Sequence, residues 1–414
     1  MRSSQLKAIA VLACSFALAP LCLGANNATR DDDVSLKSLY DAHRWFELRD
    51  SVAKRTTPLF YQGAVACAFN DLQRCNEKLK SVINAGRQSD EAVEAHRLLA
   101  SAYFRQGKYR EALKQVDAVL ALKPGDSDAQ SDRPMLAALS EYPDQEMVRL
   151  VFTALQLQDA GLPISIHGVQ ATYWFDTGAD VSVMTASDAK RFGLRVLKAP
   201  IKAGDVTGRQ VDSRVAVADE LSIGSIRLRH VAFLVVSDDQ PPFNQLPPGS
   251  RGLIGIPVLL ALQEFVWADK EFEIGSKSSN KPLTHADLCF DGHHPVAQIR
   301  FEDRSLAFTL DTGATNTDLY PPFAAAFPEL MRTSAKTESY KMEGVGGDKD
   351  TDRAVFSSLH FSIGEFPVVL SPAGVLLTHT IENSKFFHGN LGIDLLQQAH
   401  KTTFDFKAMT LALQ

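Results

Sequence analysis

Apolar residues in the first third of the chain recur at helical spacing. Residues 36 to 130 are rich in Ala, Leu, Lys and Glu in that pattern, which predicts a run of short helices. Residues 127 to 147 interrupt it with "SDAQSDRP" and "EYPDQE", a linker or capping composition. From about residue 148 the period changes: β-branched and aromatic runs alternate with Gly, Pro and Asp turns, which predicts an all-β region. The N-terminus stands apart. Arg2 and Lys7 lead into "AIAVLACSFALAPLCLG", and small residues close the run, so residues 1–25 read as a secretory signal peptide cut after Gly24 or Ala25. The run is short for a membrane span and is broken by Pro20. A lipoprotein site at Cys22 fits poorly because Leu21 precedes it. The expectation is an exported protein of a bacterial periplasm, not an integral membrane protein.

The β region is written twice. "FDTGAD" around Asp176 returns as "LDTGAT" around Asp311. "VTG" at Val206, Thr207 and Gly208 returns as "VGG" at Val345, Gly346 and Gly347, and "LSIGS" returns as "FSIGE". "GLIGIPVLL" returns as "GNLGIDLL", with Gly255 matched to Gly392. Four motifs in one order at a near-constant offset mark a tandem duplication, with "GSKSSNKP" at the joint between the copies. In each copy an apolar hairpin, "PISIHGVQATYWF" or "PVAQIRFEDRSLAFTL", runs into Asp-Thr-Gly. Glycine there lets the backbone turn and present the Asp at a loop tip. A lone buried carboxylate is expensive. Asp176 therefore either faces water on a turn or shares its site with a second carboxylate.

Composition narrows the field. The 414 residues allow two or three domains; 45% apolar and 22% charged residues are ordinary for a globular protein. The net charge of -6 comes with no basic patch, which argues against a nucleic-acid partner. Loss of the leader removes Cys14 and Cys22. Cys67 and Cys75, close together around a predicted helix turn, are then the plausible disulfide pair, and Cys289 is left as a free thiol. "CFDGHHP" has metal-ligand residue types at Cys289, Asp291, His293 and His294, but the spacing is too crowded for structural zinc; it reads as a solvated turn opening the second copy. No metal or cofactor is expected. Trp174 and Phe175 read as core. No Gly-x-Ser-x-Gly elbow or phosphate loop appears.

Within the helical region, "EAHRLLASAYFRQGKYREALKQVDAVLALKPGD" resembles a tetratricopeptide repeat. A weaker copy lies one repeat length upstream, where Phe69 matches Tyr103, Glu77 matches Glu111 and Leu79 matches Leu113. The resemblance puts Cys67 and Cys75 at the places of Ser101 and Tyr109, on facing helix surfaces. An array this short needs neighbours to bury its faces and is expected to pack on the rest of the chain. A protein partner at this region and a plain helical spacer both remain open.

Asp-Thr-Gly-Ala, a glycine-bearing hairpin and a hydrophobic-hydrophobic-Gly before a helix resemble one lobe of a retropepsin-type aspartic protease. The tandem arrangement is similar to bacterial retropepsin-like, or gag-polyprotein-like, aspartyl proteases. The resemblance covers residues 148 to 414. It implies a multidomain chain: signal peptide 1–25, tetratricopeptide-like helical domain 26–145, aspartic protease lobe 1 at 146–278 and lobe 2 at 279–414. It implies an exported endopeptidase acting on a peptide or protein substrate, with Asp176 and Asp311 as the catalytic pair. Thr177 and Thr312 would cross-bond the loops; Gly178 and Gly313 would let them approach; Gly255 and Gly392 would support the site. "KAGDVTGRQV" and "KMEGVGGDKD" would be two flaps, of the retroviral rather than the pepsin kind. Ala179 and Ala314 stand where pepsin has a hydroxyl, so one hydrogen bond to the ionised carboxylate is missing and a less acidic optimum than pepsin's is expected. Two departures are Asn390, polar where an apolar residue is expected, and flaps without tyrosine. The alternative class is a non-catalytic peptide-binding or scaffolding protein in which the helical repeats act and the protease fold is vestigial.

Overall fold

The computed structural model describes residues 35–54, 56–158, 161–198, 200–204, 209–275, 286–334, 336–342, 344 and 347–414. The leader and most of the Ser/Lys-rich joint lie outside them.

The first region is helical. Leu59–Ala68 and Leu72–Ala85 form one antiparallel pair, Asp90–Arg105 and Tyr109–Leu122 the next. Short polar side chains start them: Asp71 accepts from the Arg74 N–H and Ser89 from the Ala92 N–H, which satisfies otherwise unpaired donors of the first turn. Cys67 and Cys75 face each other across the first pair and are disulfide-bonded, Cα–Cα 4.9 Å. The segment with linker composition is instead a helix, Ser127–Leu139, capped by Asp126 and containing Pro134. Its buried Ala129, Met135, Leu136 and Leu139 decide this, because they cover an apolar face that polar composition alone conceals.

The second region is β-rich and two-lobed. In lobe 1 the Val169–Phe175 strand pairs antiparallel with Leu162–Ile166 and parallel with Gly252–Ile254, registering Trp174 against Leu253 and Phe175 against Ile254. In lobe 2 the Arg304–Leu310 strand pairs antiparallel with His294–Phe301 and parallel with Gly389–Leu391, registering Thr309 against Asn390 and Leu310 against Leu391. The "SIG" repeats are the tight turns of matching hairpins, and Gly224 and Gly364 take left-handed φ values of 57° and 59° there. A third sheet ties the lobes together. Its order is Thr153–Gln156, Glu271–Ile274, Glu264–Ala268, Thr402–Asp405, Thr410–Leu413, all antiparallel. Phe265 meets Phe404 at its centre, rings 4.8 Å apart, and this aromatic core carries the Phe175 strand above it. No helix among the described residues is long and apolar enough to cross a membrane.

The helical region is docked on the lobes through the "CFDGHHP" turn. That turn is buried, not solvated: Cys289, Asp291 and His293 have at most 5% exposure. Asp291 Oδ1 accepts from Trp45 Nε1 at 2.8 Å and lies 2.7 Å from His43 Nδ1. Arg105 donates to the carbonyls of Cys67 and Gly292 and stacks on Phe290, and Phe104 stacks on His293 at 4.3 Å. Burial works to raise the Asp291 pKa, but His43 and Trp45 hold the carboxylate below its ordinary value. A sequence window cannot show this, because the covering residues Trp45, His43 and Arg105 lie far from the turn along the chain. Among the described residues no His, Cys, Asp and Glu group is arranged to hold a metal ion.

Candidate active site

Each Asp-Thr-Gly leaves the end of its strand in the same way. The Asp176 N–H donates to Ile254 O at 2.9 Å and the Asp311 N–H to Leu391 O at 3.0 Å. One step on, the Ile256 N–H donates to Ala179 O and the Ile393 N–H to Ala314 O, both at 2.9 Å. The parallel strand and its following helix therefore clamp the loop from below. Gly255 and Gly392 are dictated by space. A Cβ on Gly255 would come within 2.7 Å of Ala179 O, and one on Gly392 within 2.6 Å of Asn316 backbone.

The two loops then bond each other. The Thr177 N–H donates to Thr312 Oγ1 and the Thr312 N–H to Thr177 Oγ1, both at 3.0 Å. Each hydroxyl donates in turn across the interface, Thr177 to Leu310 O and Thr312 to Phe175 O, both at 2.9 Å. Four buried bonds with two-fold symmetry bring Asp176 and Asp311 into one site. Gly313 is required by close approach: a Cβ there would lie 2.4 Å from Asp176 Oδ2. Neither Gly178 nor Gly313 adopts a positive φ, so the turn itself does not demand them.

Asp176 is fully buried and Asp311 is 4% exposed. The Gly178 N–H donates to Asp176 Oδ1, and the Gly313 and Ala314 N–H groups to Asp311 Oδ1. Burial pushes the Asp176 pKa well above the usual carboxylate range, and the neighbouring Asp311 charge adds to the rise. Burial also pushes Asp311 up, to about 6, against hydrogen bonds from Asn390, Gly313 and Ala314 that favour its ionised form. The pair therefore holds a proton in the range where an isolated carboxyl has lost it.

Several partners lie outside the motifs. Trp174 Nε1 donates to Thr312 O at 2.8 Å, so the indole is core on one side and a brace of the opposite loop on the other. Ser182 Oγ and Thr317 Oγ1 accept from the Gly255 and Gly392 N–H groups, both at 3.0 Å. These hydroxyls stand at matching places after each Asp, and aligning the two copies would have exposed them. Asn390, Thr309 and Tyr320 had no such signal beyond the polarity of Asn390.

The candidate flap segments extend from antiparallel hairpins. Ile201–Gly204 pairs with Gln210–Ile223, and Lys336–Met342 with Lys349–Phe356. Val206, Thr207, Gly208, Val345 and Gly346 lie outside the described residues. Gly347 is described, and a Cβ on it would meet Arg209 of the first hairpin at 2.7 Å, so the two hairpins converge. Tyr340, on the second hairpin, carries Arg353 4.0 Å above its ring and hydrogen-bonds Asp318. Behind the Asp176 loop, Asp180 is fully buried and lies 3.5 Å from both His293 and His294 of the "CFDGHHP" turn.

Residues 162–258 match the family model described as Aspartyl protease. Among solved structures, the chain is similar to a retropepsin-like aspartic protease from Rickettsia conorii, at 14% identity, over 32% of this chain and 94% of that one, with a TM-score of 0.21. No curated protein matches the chain by sequence. Part of the first lobe is thus similar to an aspartyl protease domain.

Proposed function

We propose that the lobes, the first of them similar in part to an aspartyl protease domain, form an endopeptidase in which Asp176 and Asp311 activate water between them. The observation that carries this reading is the reciprocal Thr177–Thr312 bonding, which keeps two carboxyls in one buried, charge-coupled site. Two carboxyls that feel each other's charge in one buried site share one proton. The ionised member takes a proton from water as its oxygen bonds to the peptide carbonyl carbon. The protonated member gives its proton to the carbonyl oxygen, forming a tetrahedral diol. The first carboxyl then passes its new proton to the amide nitrogen, the C–N bond breaks, and a diol hydroxyl returns a proton to the second. No covalent enzyme intermediate and no cofactor enter this sequence.

The flap hairpins support an extended peptide bound beneath them through its main chain. The raised carboxyl pKa values support an optimum less acidic than pepsin's. The apolar leader supports export to the periplasm, and the element order supports a helical domain over 26–145 with lobes at 146–278 and 279–414. We read the helical domain as a buttress, because its buried contacts with Asp291 and Gly292 are those of a fixed interface.

Mature protein, residues 26–414, is incubated with a diverse peptide mixture from about pH 4 to 7 beside Asp176→Asn. Cleavage by the unaltered protein alone, read by mass spectrometry, is expected. Equal products from both, or none from either while both are folded, would overturn the reading.

A further inference from the structure

The two carboxyls do not have equal surroundings. Asn390 sits two residues before Gly392, where lobe 1 has Leu253 two residues before Gly255. Its Nδ2 donates to Asp311 Oδ2 at 3.1 Å. Its Oδ1 accepts from the Thr309 hydroxyl at 2.6 Å, on the residue registered directly opposite it. Thr309 in turn shares a hydrogen bond with the buried Tyr320 hydroxyl. The amide points its oxygen at the Thr309 hydroxyl and its NH₂ at Asp311, the orientation that suits an ionised carboxylate, which can only accept. At the matching positions lobe 1 has Leu253, which cannot donate, and Trp174, whose N–H goes to Thr312 O. Asp176 Oδ2 is buried and accepts no hydrogen bond of ordinary geometry among the described residues.

We propose that Asn390 is a positioning residue that makes the pair unequal, keeping the negative charge on Asp311 and the shared proton on Asp176. The roles that follow rest on the endopeptidase reading: Asp311 is the base toward water and Asp176 the acid toward the carbonyl oxygen. A donor amide stabilises an ionised carboxylate and gives nothing to a protonated one that it cannot also give to the charged form more strongly. The groups facing the pair from each packed element agree. Besides the loop amides of Gly178, Ala179, Gly313 and Ala314, they are the two carboxyls themselves and the neutral Tyr320 phenol; beyond these, Asp318 is registered opposite Asn390, raised by its own burial to about 6 and faced by Arg353 and Tyr340. The hydrogen bond from Asn390 opposes the burial that raises the Asp311 pKa, whereas the neighbouring Asp311 charge adds to the rise of Asp176.

The full mature chain, labelled with carboxyl-¹³C aspartate, is titrated by NMR from about pH 3 to 8, with Asp176→Asn and Asp311→Asn assigning the two resonances. Asn390→Leu is expected to move the Asp311 midpoint up by about one pH unit, a tenfold change in proton affinity. The acid-side limb of kcat/KM on peptides should move with it, KM staying within about twofold. Exchanging the two residues, Leu253→Asn with Asn390→Leu, should give the lower midpoint to Asp176. An Asp311 midpoint that stays put in folded Asn390→Leu overturns the proposal. If that variant does not fold, Thr309→Val frees the amide while keeping Asn390; a smaller upward shift is expected, and none overturns the proposal. A shifted midpoint in a protein that cleaves nothing leaves the proton assignment standing and removes the endopeptidase reading instead.

Discussion

Lobe 1 and lobe 2 make the same frame and fill it differently. In both, the parallel strand accepts from the Asp N–H, the first N–H of the helix after the glycine donates to the loop carbonyl, and a hydroxyl from just beyond the Asp loop accepts from the glycine N–H. The paired bond lengths nearly coincide: the Asp N–H bonds are 2.9 and 3.0 Å, and the glycine N–H bonds are both 3.0 Å. Around that frame lobe 1 is apolar, with Trp174 and Leu253, whereas lobe 2 carries Thr309, Asn390 and Tyr320 in a hydrogen-bonded chain that ends on Asp311. Backbone hydrogen bonds and glycine clearances are thus sufficient to repeat a fold, and the side chains facing the carboxyls are free to diverge. A duplicated chain can give its two carboxyls different tasks, which a symmetric pair of identical copies cannot do until substrate breaks the symmetry.

The comparison is tested first at the carboxyls. Asp176→Asn and Asp311→Asn should each lower kcat by at least about a thousandfold, since general acid–base steps supply that much. Substantial activity in either would mean that the lobes are not joint contributors. Next come the threonines. Thr177→Val and Thr312→Val each remove a buried donor and an acceptor, at a cost of about 2–4 kcal/mol by denaturant unfolding. The two values should match, and the double variant should lose less than their sum; a marked inequality would show that the frame is not symmetric.

The third test is stability against pH. A carboxyl whose folded pKa is raised contributes stability that is full below its unfolded value and is lost as pH rises through the folded one. For Asp311 that window runs from its ordinary value of 3.8 to about 6. Asp311→Asn should therefore be more stable than the unaltered protein at pH 7.5 by on the order of 1–3 kcal/mol, and no more stable near pH 4. Equal thermal midpoints at pH 7.5 would argue against the buried, proton-sharing pair. The smallest effect is expected at the brace: Trp174→Phe loses the 2.8 Å bond to Thr312 O and should cost about 1–2 kcal/mol, with kcat falling less than tenfold. A fall as large as that of the aspartate variants would give the indole a direct part in the chemistry.

Much of this was legible in the chain. Period-2 hairpins, the repeated Asp-Thr-Gly and the glycine before each short helix are local patterns, and the backbone follows them. The reading erred where long-range cover decides. Residues 127 to 139 look like linker because they open with the polar run "SDAQSDRP", yet the segment packs its apolar face against the Tyr109–Leu122 helix. "CFDGHHP" looks solvated because it is polar, yet it is buried because Trp45, His43 and Arg105, from far along the chain, meet its polar groups.

The sequence by itself determined that there are two matched β lobes, that each offers one aspartate, and that a helical array precedes them. Spacing and residue type suffice for that, because turns, strands and close glycine contacts are short-range. Only the tertiary structure decided that the aspartates share one buried site, that the helices seal the turn behind it, and that Asn390 touches one carboxyl and Leu253 does not touch the other. Those facts depend on burial and on hydrogen-bond partners far apart in the chain, and the free energy of a buried charge is set by the groups that surround it in space.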